Sequence, residues 1–486
     1  MRRKTLLLIL MLLPIILPAQ NFDHYFQDQT LRIDYFHIGD AKSEIVTIDQ
    51  MYVQGIWAGN PDQLIDQFDN GRYYVKVYDR DSGKLIFSRG FDSYFGEYQT
   101  SAPALKGIQR TFHESALVPY PRKPVIFVLE HRNRQNELLP FFETIINPDT
   151  VAIIKEQLDP NVKVLKTQYS GDPHKKVDVV YIAEGYTAEE YSKFEKDLKK
   201  FTEVFFSLEP YKSRRSDFNI YGVFKASAES GVDEPTHGHF KNTAVDATFN
   251  SMGSPRYLLT ENNRAWRDIA AHVPYDAVFI MVNSKRYGGG GIYNFFCTFT
   301  SDNQWQNYVM LHEFGHHFSG LADEYYTSST AYNDFYPRGV EPREPNITAL
   351  TDPANLKWKE LLSPGIEVPT PWEKAEFDRL DMEYQTKRGD LNEKIARLNR
   401  EGAAPEEIQK TEIASEELSR THAERMDNFL QNSRYAGKVG VFEGAGYSSE
   451  GLYRPMLDCI MFSKGQKPFC KVCEAAINRV IDHYTK

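Results

Sequence analysis

Cysteine is scarce in this chain: 486 residues contain four, at positions 297, 459, 470 and 473. A fold stapled by many disulfides is therefore excluded, and a hydrophobic core must hold the structure. Basic blocks are missing too. With 57 Lys and Arg against 67 Asp and Glu, the formal net charge is −10. No phosphate-binding face is on offer, which excludes a nucleic-acid partner. An acidic balance of this kind speaks to solubility more than to mechanism. Beyond the first twenty residues, no apolar run is long enough to span a bilayer. Compositional bias is absent: 41% hydrophobic, 13% aromatic and 26% charged residues describe a globular chain. Its length allows roughly two to four domains and at least one large core.

What is present begins with "MRRKTLLLILMLLPIILPAQ". Three basic residues, an apolar stretch and a small residue at Ala19 form a signal-peptide layout, with the cut expected after Ala19. A membrane anchor is the alternative. The apolar stretch is short, contains two prolines and gives way at once to polar sequence, which favours cleavage and leaves no stable membrane span. The mature protein is thus expected to be exported, whether periplasmic, cell-surface or extracellular. In that setting a disulfide is permitted. Cys459, Cys470 and Cys473 are spaced C-x10-C-x2-C, and a bridge from Cys459 to Cys470 or Cys473 is the favoured reading. A structural metal site and free buried thiols are the alternatives. Zinc would need a fourth ligand beside the three thiolates, and none is evident nearby in the sequence.

Residues 21–150 read as a β-sandwich domain. "LRIDYFHIG", "RYYVKVYD", "KLIFSRGF" and "KPVIFVLEHR" are short, β-branched and aromatic, and separated by turn residues. They hold no catalytic constellation, so packing, positioning or weak substrate binding is their expected role. "LDPNVKVLKTQYSGDPHKK" follows as a connector. Strands such as "VDVVYIAEGYT" and "YDAVFIMVNS" then alternate with helical stretches, which argues for an α/β domain over 160–486. Four consecutive glycines in "YGGGGIYNFFCTFTS" lack the Lys-Ser/Thr of a phosphate loop. They fit either a flexible turn or a strand that lets a substrate backbone approach closely. Residues 371–432 are charge-rich and helical, with a break at Gly402 and Pro405. An antiparallel helical hairpin inserted in the second domain is the simplest account.

Chemistry concentrates in "LHEFGHHFSGLADEYY". His312 and His316 are four positions apart, so a helix projects both imidazoles from one face, able to bind one zinc ion. Glu313 follows the first of them, where it can take a proton from zinc-activated water. Gly320 suits the residue that ends the helix. Asp323 and Glu324 come next and offer a third, oxygen ligand. The metzincin pattern HExxHxxGxxH has its glycine and last ligand one residue earlier than here, so the ligand cannot be assigned by counting. Asp323 is the first choice and Glu324 the runner-up, with a supporting contact to a ligand histidine as Glu324's other role. His317 faces another side and reads as structural or solvent-facing. Downstream, "YRPMLDCIMFS" contains two methionines. Met461 is preferred over Met456 as the methionine of a turn beneath the metal. Tyr447, Tyr453 and Arg454 are candidates for oxyanion stabilisation.

The stretches "IAEGYT", "FFSLEPY", "FNIYGVFKASAESGVDEP", "HEFGHHFSGLADEYY" and "CIMF…PFCKVC" together resemble the IgA-peptidase family of metallopeptidases, M64, in its Bacteroidetes-type form. The resemblance spans roughly residues 177–486 and, more loosely, the β-rich segment before them. It implies an α+β multidomain protein in which a zincin, metzincin-like α/β catalytic domain follows the β-sandwich. It also implies Zn2+-dependent hydrolysis of a protein or peptide substrate, with His312 and His316 as ligands and Glu313 as general base. Cleavage of IgA itself is not implied, because substrate choice resides in loops the motif does not describe. Two other classes remain: a non-catalytic binder displaying its β domain to a glycan or protein, and a zinc hydrolase of another kind, such as a deacetylase.

Overall fold

The structure is a computed structural model and describes residues 21–327 and 335–486. The signal-peptide expectation falls on residues outside these. Alternating apolar and polar residues give the first unit its strands. After α1 (Phe22–Tyr25) come β1 (Phe26–Gly39), β2 (Glu44–Gln54), β3 (Tyr73–Asp79) and β4 (Leu85–Phe91). Two short helices, α2 (Tyr94–Gln99) and α3 (Ala102–Leu105), precede β5 (Arg110–Pro121), β6 (Val125–Arg132), β7 (Leu138–Ile146) and β8 (Ile153–Ile154). They form two four-stranded sheets, ordered β5-β1-β2-β8 and β4-β3-β6-β7. Every pairing is antiparallel except β2 with β8. Leu31, Ile33 and Tyr35 of one sheet share a core with Tyr73, Val75, Val77 and Phe127 of the other.

The second unit is built on a six-stranded sheet. Its elements are β9 (Lys163–Gln168), β10 (Val177–Glu184), α4 (Tyr191–Phe205), β11 (Phe218–Phe224) and α5 (Asn263–Ala270). Then follow β12 (Ala277–Val282), β13 (Gly289–Ile292), β14 (Phe296–Thr300) and α6 (Gln306–Ser319). Strand order is β13-β14-β12-β10-β11-β9. The four inner strands run parallel, while β9 and β13 are antiparallel edges. The segment 163–168, expected as part of a connector, is thus an edge strand. Its lysines hid it from a hydrophobic reading, and they are what exposed edges favour.

All eight residues of β10 are buried, as a sheet covered on both faces requires. Val177, Val179 and Tyr181 pack with Phe194, Leu198 and Phe201 of α4 and Phe314 of α6. Val180 and Ile182 turn the other way, into the core that holds Trp266 of α5 and the strands of the first unit. The β-rich unit therefore covers the far face of the sheet that carries α6.

The charge-rich insertion forms α7 (Lys374–Arg400) and α8 (Pro405–Gln431), which pack against each other. Phe377, Leu380, Met426 and Leu430 join the core of the second unit, so the base of the hairpin is anchored. Tyr384 and His422 stack at 3.9 Å across it. A small β15 (Phe442–Ala445) and β16 (Ser448–Arg454) hairpin follows, and α9 (Lys471–Thr485) closes the chain. No helix among the described residues is long and apolar enough to cross a membrane.

One buried ion cluster ties the first unit's sheets together. His37 Nε2 is 2.7 Å from Glu44 Oε2, and its Nδ1 is 3.0 Å from Glu114 Oε2. Burial opposes the imidazolium, but the two carboxylates prevail and push His37 up to about 9. Burial likewise opposes the Glu44 carboxylate, and His131 and His37 prevail to bring it down to about 2. His37 is raised above its ordinary 6.5, so its contribution is full below that pH and is lost as pH rises through about 9. Glu44 is depressed below its ordinary 4.5, so its contribution is full above that pH and is lost as pH falls through about 2. Thermal unfolding should therefore show a midpoint that falls between pH 6.5 and 9, and His37→Gln should flatten that limb.

Candidate functional site

Helix α6 is buried on nearly every side. Phe314 stacks on Phe279 of β12 at 4.9 Å. His317 Nδ1 lies 3.0 Å from the Ile292 carbonyl, and its Nε2 accepts from the Val278 N–H at 2.9 Å. Burial pushes His317 down to about 3, so the ring is neutral and joins α6 to β12 and β13. It is structural and not solvent-facing. The glycine run supplies β13, and its use is close approach. A Cβ on Gly291 would lie 2.4 Å from the Glu313 carbonyl oxygen, and one on Gly289 would lie 2.5 Å from the Val309 side chain. These glycines let the edge strand lie directly against the helix, so neither a phosphate loop nor a flexible turn describes them.

The helix stops at Gly320, whose left-handed backbone (φ 58°, ψ 35°) turns the chain back. His316 Nδ1 then meets the Leu321 carbonyl at 2.5 Å, and His312 Nδ1 meets the Ile460 carbonyl at 2.9 Å. Each Nδ1 must donate, because a carbonyl only accepts. In the neutral rings this leaves both Nε2 atoms as bare acceptors. They lie 3.1 Å apart, and Asp323 Oδ1 sits 3.0 Å from one and 3.2 Å from the other. Asp323 Oδ1 is buried without a hydrogen bond.

Three lone pairs thus converge on one point, with spacings near the roughly 3.3 Å between neighbouring ligands of a tetrahedral zinc ion. A cation belongs among them. The Asp323 carboxylate overcomes burial and pushes His316 up to about 9, as a point that attracts positive charge would. The donor set, two imidazoles and one carboxylate, suits a divalent zinc-type ion. The Tyr447 hydroxyl donates to the other Asp323 oxygen and fixes the carboxylate's orientation.

Glu324 points elsewhere. Its Oε1 accepts from Asn346 Nδ2 at 3.0 Å and lies 3.3 Å from Cys473 Sγ. Of the two acids, Asp323 is the one beside the histidines. Met461 is fully buried beneath the helix: a Cβ on Gly315, between the two histidines, would lie 2.9 Å from its sulfur. Tyr453 and Arg454 do not reach the site. Arg454 is buried, donating to the Glu443, Gly444 and Leu457 carbonyls between Trp372 and Phe462. Tyr453 pairs through its backbone with Thr348. All four cysteines are free, with Cys459 and Cys473 sulfurs 3.9 Å apart, so the expected bridge is not formed here.

Glu313 and the three donors line one open cavity. Burial pushes the Glu313 carboxyl up from its ordinary value. Two residues that the sequence did not single out face the same space: Arg256, and Tyr325, whose hydroxyl accepts from Arg256 at 3.3 Å. Asp92 and Glu97 of the β-rich unit reach the rim. No local signal marks any of these, since they come from separate segments. The close strand–helix contact is testable. Gly291→Ala should cost about 1–3 kcal/mol of stability in denaturant unfolding, as overpacked sites do, and should weaken metal binding at the displaced histidines.

The family described as IgA Peptidase M64 matches residues 165–481, and the Peptidase M64 N-terminus matches residues 21–143. No curated protein matches the chain. The first match covers more than half of the chain and includes the helix, Asp323 and Met461. The chain belongs to the IgA peptidase M64 family.

Proposed function

We propose that this protein is an exported zinc-dependent endopeptidase, with a metzincin-like zincin domain behind a β-sandwich. The observation that supports it most is the convergence of His312 Nε2, His316 Nε2 and Asp323 Oδ1 beside Glu313 in an open cavity. The signal-peptide layout of the first twenty residues supports export, and family membership supports protein or peptide substrates.

His312, His316 and Asp323 would hold a zinc ion, which would supply Lewis-acid polarisation of a scissile carbonyl and would lower the pKa of water to about 7. The protein's own groups do the rest. Glu313, its basicity raised by burial, takes the proton of the attacking water and passes it to the leaving amine nitrogen. Arg256 donates to Tyr325, leaving the phenol O–H free to donate in turn. Both can stabilise the oxyanion that develops on the former carbonyl oxygen. Tyr447 holds Asp323 in place, and the carbonyls of Leu321 and Ile460 hold the two rings.

Glu313→Gln should keep wild-type metal content and lose about 10²–10⁴-fold in hydrolysis of an unfolded protein substrate. Undiminished turnover in that variant would contradict the mechanism. Asp323→Ala should bind one metal ion fewer than wild type by elemental analysis. Unchanged metal content in Asp323→Ala would contradict the assignment.

A further inference from the structure

We propose that Cys459, Cys470, Cys473 and Glu324 form a second metal site, structural in role, that takes a zinc-type divalent ion beneath the first. It does not depend on the peptidase reading. The four residues each offer one ligand atom, all within 4.8 Å of one another. Cys459 and Cys473 sulfurs are 3.9 Å apart, and Glu324 Oε1 is 3.3 Å from Cys473 Sγ and 3.8 Å from Cys470 Sγ. A tetrahedral zinc with bonds of about 2.3 Å to sulfur and 2.0–2.2 Å to oxygen places its ligands roughly 3.5–3.8 Å apart. These three spacings are close to that range, and the remaining pairs lie within 4.8 Å.

Burial makes a partner necessary. None of the four is more than 3% exposed, and Glu324 is at 0%. Glu324 Oε2 has no hydrogen-bond partner, and a buried carboxylate in that state is costly. A disulfide between any two of the cysteines would leave the third thiol and this acid unanswered, whereas one divalent ion answers all four.

The surroundings are built for negative sulfur. Backbone N–H groups of Met461 and Cys470 point at Cys459 Sγ at 3.4 and 3.2 Å, and that of Cys473 points at Cys470 Sγ at 3.4 Å. Cys470 is the N-cap of α9 and Cys473 lies in its first turn, where the helix dipole favours thiolates. On binding, the three S–H groups and the Glu324 carboxyl, which burial raises well above its ordinary range, release four protons to solvent, three sulfur bonds and one oxygen bond to the metal form, and nothing is oxidised. Four negative ligands against a divalent ion leave a net −2. The α9 N-terminus and the buried guanidinium of Arg454, within electrostatic reach of Glu324, offset part of it.

The location gives the role. Glu324 directly follows Asp323, and its N–H donates to the Met461 carbonyl at 2.8 Å. Cys459 stands next to Ile460, whose carbonyl holds His312. An ion here fastens the aspartate segment, the methionine segment and α9 to one point below α6.

The test is elemental analysis of full-length protein purified without chelator or reductant. About two zinc ions per chain are expected in wild type and about one in His312→Ala/His316→Ala, since the cysteine site survives there. Cys470→Ser/Cys473→Ser should lose the other ion. Should that variant not fold, cobalt exchange of wild type and of the histidine variant provides an independent readout. Both should show near-ultraviolet sulfur-to-cobalt absorption, and both should titrate four free thiols in denaturant with chelator. A single ion that vanishes with the histidines, a cobalt form without sulfur bands, or two thiols missing to a disulfide would each overturn the proposal.

Discussion

Lone pairs of two imidazoles and a carboxylate meet within 3.2 Å in the near-buried floor of the cavity, and they repel unless a cation stands among them. Much of the second unit serves to bring them there. The backbone carbonyls of Leu321 and Ile460 dictate which ring nitrogen carries the proton. Gly320 reverses the chain so that Asp323 returns to the helix it has just left. Met461 fills the space under Gly315, and His317 fixes the helix to the sheet from the opposite side.

The same constraint explains the larger architecture. A helix that must lie against an edge strand needs glycine at the contact, and Gly289 and Gly291 supply it. The sheet below needs cover on its other face, and the β-rich unit gives that cover through a shared core. That unit also lends Asp92 and Glu97 to the cavity rim, so it belongs to the site's surroundings as well as to its support. The helical hairpin is anchored by its base and borders an adjoining cavity that shares Arg256, Tyr287 and Tyr325 with the first.

How much of this the sequence disclosed depends on how local each feature is. His312, Glu313 and His316 were legible because helical periodicity alone sets them on one face. Asp323 ranks ahead of Glu324 in the sequence without a geometric reason, because neighbours in an extended segment point to opposite sides and only the turn at Gly320 decides which faces the histidines. Glu324 lies 146 residues before Cys470, so spacing among the cysteines could not reveal it as their companion. Arg256 and Tyr325 meet through tertiary packing and carry no pattern. Tyr453 and Arg454 looked suitable by residue type and nearness to the methionines. Carbonyls of the β15–β16 hairpin and Leu457 instead occupy the arginine, a matter of strand direction that composition does not encode.

A metal ion, and not a proton, is expected among the three donors. A crystal structure of untreated protein, with diffraction measured on both sides of the zinc absorption edge, tests this most directly. An anomalous peak should lie about 2.0–2.2 Å from His312 Nε2, His316 Nε2 and an Asp323 oxygen. No peak there, even after zinc soaking, with a protonated His316 hydrogen-bonded to Asp323 in its place, would contradict it.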